Sequence, residues 1–353
     1  MTPVPVAELR SRLLGWYDAS RRDLPWRAAP GTLGDPYRVW LSEVMLQQTR
    51  VETVKPYFER WLERFPTLET LSEAPRDDVL KAWEGLGYYS RARNFHRAVS
   101  EVVERYGGRV PDEADSFRAL PGVGRYTAGA VLSIAFGRNE PVVDGNVRRV
   151  FARLLDRAEP AEAELWSLAE RLVEGDRPGD LNQALMELGA IVCTPRSPSC
   201  DACPVTVMCA AHAAGTQPER PARRKRAPLP LEEHAVAVVR HGEELLLVRR
   251  PDEGRLGGMW EFPGAVMRAG ETLEDGAARA AAEWTGMRIA GLRSLGTVEH
   301  VFTHVRVSYR AVLAELAAEP LQPRAGIRWV VRDRLEELAL PRAQQRIAGL
   351  FFG

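Results

Sequence analysis

Lysine is nearly missing from this 353-residue chain: Lys55, Lys81 and Lys225 are the only three, and arginine supplies the other 45 of 48 basic residues. An amine nucleophile able to form a Schiff base therefore has few places to sit. Net charge is missing too, because 48 acidic residues balance the 48 basic ones. A positive field over the whole protein is excluded, so any contact with nucleic acid has to come from local patches and backbone amides. Cysteine is scarce, with four residues, all falling between 193 and 209. A disulfide framework spread over the chain is thereby excluded. No apolar run approaches the length of a membrane span, and Val6–Trp16 reads as an amphipathic helix rather than a signal peptide. The expectation is a soluble cytoplasmic protein.

What is present is enough for real cores: 45% of the residues are hydrophobic, and the length predicts two domains. Residues 1–215 read as mostly helical. Apolar residues recur at helical spacing in Trp40–Thr53, Tyr57–Phe65, Val79–Leu86, Ala92–Tyr106 and Tyr126–Phe136. Residues 216–231 are proline-rich and basic with no apolar period, and read as an extended linker. Its Arg220, Arg223, Arg224, Lys225 and Arg226 are either solvated or touch phosphates. From 232 to 353 the period changes. Ala235–Val239, Leu245–Arg249, Val298–Leu313 and Ile327–Val331 read as strands, and Leu273–Trp284 as a helix. This half is a separate mixed α/β domain.

Three groups of residues carry chemistry. Leu120-Pro-Gly-Val-Gly-Arg-Tyr126 reads as a tight glycine turn between two helices, a helix–hairpin–helix spanning 118–128. Gly122 and Gly124 let the backbone turn and present N–H groups at a helix start, which suits an anion such as a DNA phosphate. Cys193, Cys200, Cys203 and Cys209 follow the pattern C-x6-C-x2-C-x5-C. Four thiolates this close can wrap one metal centre, and spacing alone does not separate structural zinc from a [4Fe-4S] cluster. Two carboxylates complete the set. Glu43 sits among Trp40, Val44, Met45 and Leu46, where an apolar setting raises a carboxyl's pKa and makes a general acid; a surface glutamate fits the local pattern as well. Asp144, before a glycine and ahead of a helix, reads equally as an N-cap. Taken together, an acid and a facing carboxylate suit cleavage of a glycosidic bond.

With these residues in hand, the chain resembles the MutY-type adenine DNA glycosylases. The marks are Leu24-Pro-Trp-Arg27, Ser42-Glu-Val-Met-Leu-Gln-Gln-Thr49, Gly85-Leu-Gly-Tyr-Tyr89, Leu120-Pro-Gly-Val-Gly124, Asp144-Gly-Asn146 and the cysteine array. Endonuclease III-like relatives share the hairpin and cysteines but usually carry lysine where this chain has Tyr126, and they lack the C-terminal domain. The resemblance implies an all-α helix–hairpin–helix glycosylase domain, a six-helix barrel with a [4Fe-4S] subdomain over 193–209, followed by an α/β Nudix-like domain. It implies base-excision repair: monofunctional removal of adenine opposite 8-oxoguanine, or opposite guanine, leaving an abasic site. The alternative is an endonuclease III-like enzyme acting on damaged pyrimidines.

The family's roles carry over residue by residue. Glu43 matches the acid that protonates adenine N7, and Asp144 the carboxylate facing the sugar C1′ cation. Tyr126 and Asn146 match residues that orient the carboxylates and the attacking water. Trp26, Arg27, Leu46 and Gln183 match the walls and hydrogen-bond partners of the flipped adenine. Gln48, Thr49, Leu86 and Tyr88 match residues at the DNA, with Gln48, Leu86 and Tyr88 as a wedge that props the stack. In the Nudix-like domain, Phe302-Thr303-His304 stands where the family has a Phe-Ser-His loop that recognises 8-oxoguanine. Glu271 and Arg279 hold the Nudix register, but the following residues are Ala280-Ala-Ala-Glu283-Trp284 and the metal-binding glutamate pair is mostly gone, so no hydrolase activity is expected. The four cysteines are expected to hold the [4Fe-4S] cluster. The expected partner is double-stranded DNA carrying 8-oxoguanine opposite adenine. No membrane is involved, and the protein is expected to act as a monomer associated with a bacterial nucleoid.

Overall fold

The computed structural model describes residues 5–222, 227–316 and 325–352. Its chain divides into two compact units, one of Met1–Glu73 with Asn94–Lys225, the other of Ala74–Arg93 with Arg226–Gly353. The segment Ala74–Arg93, which the sequence pattern places in the helical half, belongs with the C-terminal unit. No described helix is long and apolar enough to cross a membrane.

The first unit is helical. Its core is aromatic: Trp40 packs edge-on against both Phe95 and Phe117, with ring centroids 5.0 Å apart in each case. The Tyr37 hydroxyl donates to the Phe65 carbonyl at 2.8 Å and accepts from the Trp61 indole at 3.0 Å, so the buried phenol is satisfied twice. The expected single helix over Trp40–Thr53 is two helices, Pro36–Leu46 and Val51–Arg64. Gln48 breaks the run, with a φ of 56°. A side chain in that left-handed region is strained, and apolar periodicity does not register it.

The hairpin joins the short helix Ala114–Arg118 to the helix Arg125–Phe136. Gly122 is required there, because its φ is +77° and an added Cβ would lie 2.8 Å from Cβ of Asn94. Gly124 is different. Its φ is −91°, and an added Cβ would meet nothing within 4 Å. The fold alone does not demand glycine at 124.

The expected linker is partly fastened. The Thr216 hydroxyl donates to Asp156, the Arg153 guanidinium to the carbonyls of Gln217 and Arg220, and the Ala222 amide to the Ala158 carbonyl. Residues 216–222 therefore form part of the helical unit rather than a tether. Arg220 is paired with Asp156 at 2.8 Å. Arg223, Arg224, Lys225 and Arg226 lie outside the described residues.

The second unit is built on a sheet whose strands are β1 (Leu231–His241), β2 (Glu244–Arg249), β3 (Trp260–Glu261), β4 (Gly264–Val266), β5 (Ile289–Val301), β6 (Arg306–Leu316) and β7 (Ile327–Val331). The order is β3-β2-β1-β6-β5, with β4 also pairing β1 and β7 pairing β2. Strands β1 and β6 run parallel; the other pairs are antiparallel. Ala277 and Ala281 of the helix Leu273–Thr285 pack on one face, against Ala235, Ala237, Val239 and Leu246. Ile347 of the helix Arg342–Phe352 packs on the other, among Val236, Val238, Leu245 and Leu247. Alternation along β1 and β2 supplies both faces, as a sheet covered on both sides requires. Strands β3 and β4 and the last helix were not legible in the sequence. The first two are too short to show a period, and the helix lies in a segment whose pattern is weak.

Candidate active site

Five helices of the first unit, with the segment from Arg22 to Arg27, line a cavity of about 470 Å³. Asp35 caps the helix Pro36–Leu46 by accepting from the Arg38 amide at 2.8 Å, and Pro36 starts it. Most of this helix is buried, and Glu43 is buried with it at 6% exposure. The surface-glutamate alternative is excluded. Burial raises the Glu43 carboxyl to about 7; the hydrogen bond from Tyr126 pulls it back, and the nearby Asp144 adds to the rise. Tyr126, one residue into the hairpin's second helix, donates its hydroxyl hydrogen to Glu43 Oε2 at 2.7 Å. Met186 Sδ lies 3.1 Å from the Tyr126 hydroxyl oxygen. The phenol has one hydrogen, and the carboxyl oxygen is the stronger acceptor. Burial first, then the two carboxylates, push the Tyr126 phenol well above its usual range, so it stays a donor.

Asp144 is both an N-cap and a cavity residue. Oδ1 accepts from the Val147 amide at 2.7 Å and caps the helix Gly145–Leu154, while Oδ2 accepts from Asn146 Nδ2 at 3.0 Å. Burial raises its carboxyl, and these hydrogen bonds and Arg149 oppose the rise. Asn146 is held in turn: its Oδ1 accepts from Arg149 Nη2 at 2.8 Å, and a Cβ on Gly189 would sit 2.6 Å from its Cβ. Arg149 also donates to the carbonyls of Gly189 and Cys193.

The structure brings Trp26, Arg27, Glu43, Leu46, Gln48, Thr49, Tyr126, Asp144, Asn146 and Gln183 into this one cavity. Gly122 and Gly124 lie at the hairpin, outside its lining. Leu86, Tyr88, Phe302, Thr303 and His304 belong to the second unit. Leu86 is buried there at 5% exposure, whereas Tyr88 is 43% exposed. Phe302 is half-buried and Thr303 and His304 are exposed, in the turn between β5 and β6 closed by the Phe302 amide and the Val305 carbonyl.

Two residues that hold the site together escaped the sequence reading, one of them, Glu187, in the cavity lining. Glu187 is fully buried and receives Arg22 through two guanidinium nitrogens and Arg27 through one, each at 2.8 Å. Burial works against its charge, but the two guanidiniums outweigh it and hold the carboxyl at about 2. Glu187 thus fixes Arg27, whose side chain is only 8% exposed. The signal was its i+4 spacing from Gln183 on the helix Pro178–Glu187. Arg149 escaped likewise; its i+3 spacing from Asn146 was visible.

The four cysteines are all free. Cys200, Cys203 and Cys209 each feel the charge of Cys193, so the sulfurs face a common space. Four free thiols on one short loop are the donor set that an iron–sulfur cluster takes. Arg153, buried at 2% exposure, pins this loop by donating to Cys193 Sγ at 3.2 Å and to the carbonyls of Thr194 and Pro195.

In the second unit, Arg279 binds Glu271 through two nitrogens, at 2.7 and 2.8 Å, and also pairs with Glu283. The Trp284 indole donates to the Gly264 carbonyl at 3.0 Å. The two carboxylates are thus engaged by one guanidinium.

The hairpin, the paired carboxylates and the cysteine loop define a base-excision DNA glycosylase. Residues 41–174 match the HhH-GPD superfamily of base excision DNA repair proteins, residues 193–209 the iron–sulfur binding domain of endonuclease III, and residues 234–349 the NUDIX domain. The chain is 37% identical to the adenine DNA glycosylase of Homo sapiens, over 99% of this chain and 74% of that protein. It is 33% identical to that of Schizosaccharomyces pombe, over 96% of this chain and 88% of that one. The chain belongs to the adenine DNA glycosylase family, and its cofactor is a [4Fe-4S] cluster. A thermostable thymine-DNA glycosylase superposes with a TM-score of 0.54 at 32% identity, over 59% of this chain and 97% of that one. A trapped endonuclease III–DNA intermediate, at 24% identity and a TM-score of 0.51 over 60% of this chain and 99% of that one, shares the fold.

Proposed function

We propose that this enzyme is monofunctional and removes adenine from DNA opposite 8-oxoguanine, and opposite guanine, leaving an abasic site. The observation that carries this reading is the cavity itself: a neutral-leaning Glu43, a facing Asp144 and a phenol at Tyr126, with no lysine among its described lining residues. Glu43 gives its proton to N7 of the flipped adenine. The C1′–N9 bond breaks, and its electron pair leaves with the base. Asp144 faces the cation at C1′, held by Asn146 and the Val147 amide. Water adds to C1′ and loses a proton to solvent. Trp26, Arg27, Leu46 and Gln183 supply the walls around the base, with Glu187 fixing Arg27. Without an amine near C1′, no Schiff base forms and the strand stays intact.

The open side of Gly124 supports a phosphate approaching the hairpin amides closely. Gln48, Thr49 and Tyr88 act at the DNA stack, and Thr303 with its neighbours Phe302 and His304 reads the lesion. The cluster, held by Cys193, Cys200, Cys203 and Cys209, supplies iron–thiolate bonds that close its loop. The two carboxylates engaged by Arg279 support the absence of pyrophosphate hydrolysis.

The test is single-turnover cleavage of duplexes carrying adenine opposite 8-oxoguanine, adenine opposite guanine, and thymine glycol opposite adenine, with and without alkali. Fast loss of adenine opposite 8-oxoguanine, with breaks only after alkali, is expected. Breaks at thymine glycol without alkali, with adenine untouched, would establish the damaged-pyrimidine alternative instead.

A further inference from the structure

The cavity holds one oxidisable group that the proposed chemistry does not use. Met186 lines it from the helix Pro178–Glu187, on the face that also presents Gln183 and Glu187. Its Sδ lies 3.1 Å from the Tyr126 hydroxyl oxygen, and that hydroxyl donates to Glu43 Oε2 at 2.7 Å. A thioether, a phenol and the acid are thus linked in sequence. A thioether is a weak acceptor, so the single phenolic hydrogen goes to Glu43.

Of the methionines among the described residues, only Met186 lines this cavity. Met45, Met259 and Met287 are buried. Met208 and Met267 are half-buried elsewhere, one beside Cys209 and one in the second unit. Met186 is itself half-buried, and the cavity beside it, of about 470 Å³, is far larger than a peroxide molecule. The sulfur is therefore open to a small oxidant that the packed core excludes.

We infer that Met186 is an oxidation site that controls this enzyme: hydrogen peroxide converts it to the sulfoxide, whose oxygen competes for the hydrogens of Tyr126 and Glu43 and slows base release. This rests on the acid role of Glu43 proposed above. A sulfur lone pair attacks one peroxide oxygen. The S–O bond forms as the O–O bond breaks, and hydroxide leaves. The hydroxide takes the hydrogen of the new S–OH group, which gives water and a neutral sulfoxide. Sulfur loses two electrons and peroxide gains them. The product is a polar side chain in place of an apolar one. Its oxygen stands beside the Tyr126 hydroxyl, one hydrogen bond away from Glu43. A strong acceptor there draws the phenol off the carboxyl and offers the Glu43 proton a partner other than the base. Sulfoxide reductases return the thioether, so the change is reversible.

The experiment treats the full enzyme, cluster loaded, with graded hydrogen peroxide, at doses that leave the visible absorbance of the cluster unchanged. Three quantities are read: the single-turnover rate of adenine release, the mass of the Met186 peptide, and the rate after methionine sulfoxide reductases A and B with dithiothreitol. The treated wild type is expected to gain one oxygen at Met186 and to slow on the order of ten-fold or more, the range of a hydrogen bond to an ionisable group. The reductases should restore the rate, and dithiothreitol alone should not, which separates methionine from cysteine oxidation. Met186→Leu keeps the volume and has no thioether to oxidise; treated, it should keep the rate of its own untreated sample. A Met186 peptide without added oxygen, full oxidation at Met186 with an unchanged rate, or a loss that the reductases do not reverse overturns the inference, whether or not the leucine variant folds. An equal loss in a folded Met186→Leu enzyme does the same. An untreated wild type that releases no adenine instead overturns the proposed function.

Discussion

The Tyr126 hydroxyl and Glu43 Oε2 lie 2.7 Å apart, a phenol donating to a carboxyl that burial has already lifted to about 7. A lysine in place of that phenol would put an amine in the cavity and open Schiff-base chemistry. The phenol instead adjusts the acidity of its neighbour, and four predictions follow from this geometry.

If Glu43 must carry a proton to act, the single-turnover rate falls as pH rises through about 7. Glu43→Gln should lose adenine cleavage while keeping DNA binding. A pH–rate profile that stays flat from 6 to 9 in the wild type, or cleavage by Glu43→Gln, removes the acid role.

The same carboxyl has a cost in stability. Its folded pKa is above the usual 4.5, so the folded state holds the proton more tightly than the unfolded state. The wild type therefore loses stability as pH rises from about 4.5 through about 7, and the loss is complete above that. Glu43→Gln lacks the loss. It should melt higher than the wild type at pH 8, by an amount on the order of a few kcal/mol, with the gap closing toward pH 5. Melting curves of both proteins across that range decide it; a gap independent of pH contradicts the burial of the charge.

Tyr126→Phe removes the hydrogen bond that pulls Glu43 down while leaving the desolvation that pushes it up. The alkaline limb of the rate profile should then move to higher pH. An unchanged limb, or one displaced to lower pH, shows that the phenol does not act through Glu43.

Asp144→Asn separates two roles of one side chain. Asparagine caps a helix about as well as aspartate, so melting should change by less than about 1 kcal/mol. It carries no charge to face a cation, so the rate should fall at least ~100-fold. Loss of both fold and activity together would reduce Asp144 to a cap.

Much of this protein was legible from the chain alone. Four cysteines within seventeen residues, a glycine turn at Leu120–Gly124 and three lysines in 353 residues are local facts of composition and spacing. They place a metal site, the hairpin and the want of an amine without reference to a partner far along the chain. The strands Ile327–Val331 and Glu244–Arg249 were equally readable, because a period of two is a local property. The remaining features depend on what packs against what. Glu43 looked as suited to a surface as to a pocket until the helices around it removed its water. Asp144 read as a cap or a catalytic group, and only the placement of its two oxygens shows that it serves one helix and one cavity at once. Glu187 became a site residue through Arg22 and Arg27, more than 150 positions away. Ala74–Arg93 reads as part of a helical half, yet its ion pairs join it to the C-terminal unit. The sequence by itself determined which chemical groups this enzyme owns. Tertiary structure decided which of them are dry, charged and aimed at one another, since desolvation and pairing arise only between residues that the fold brings together.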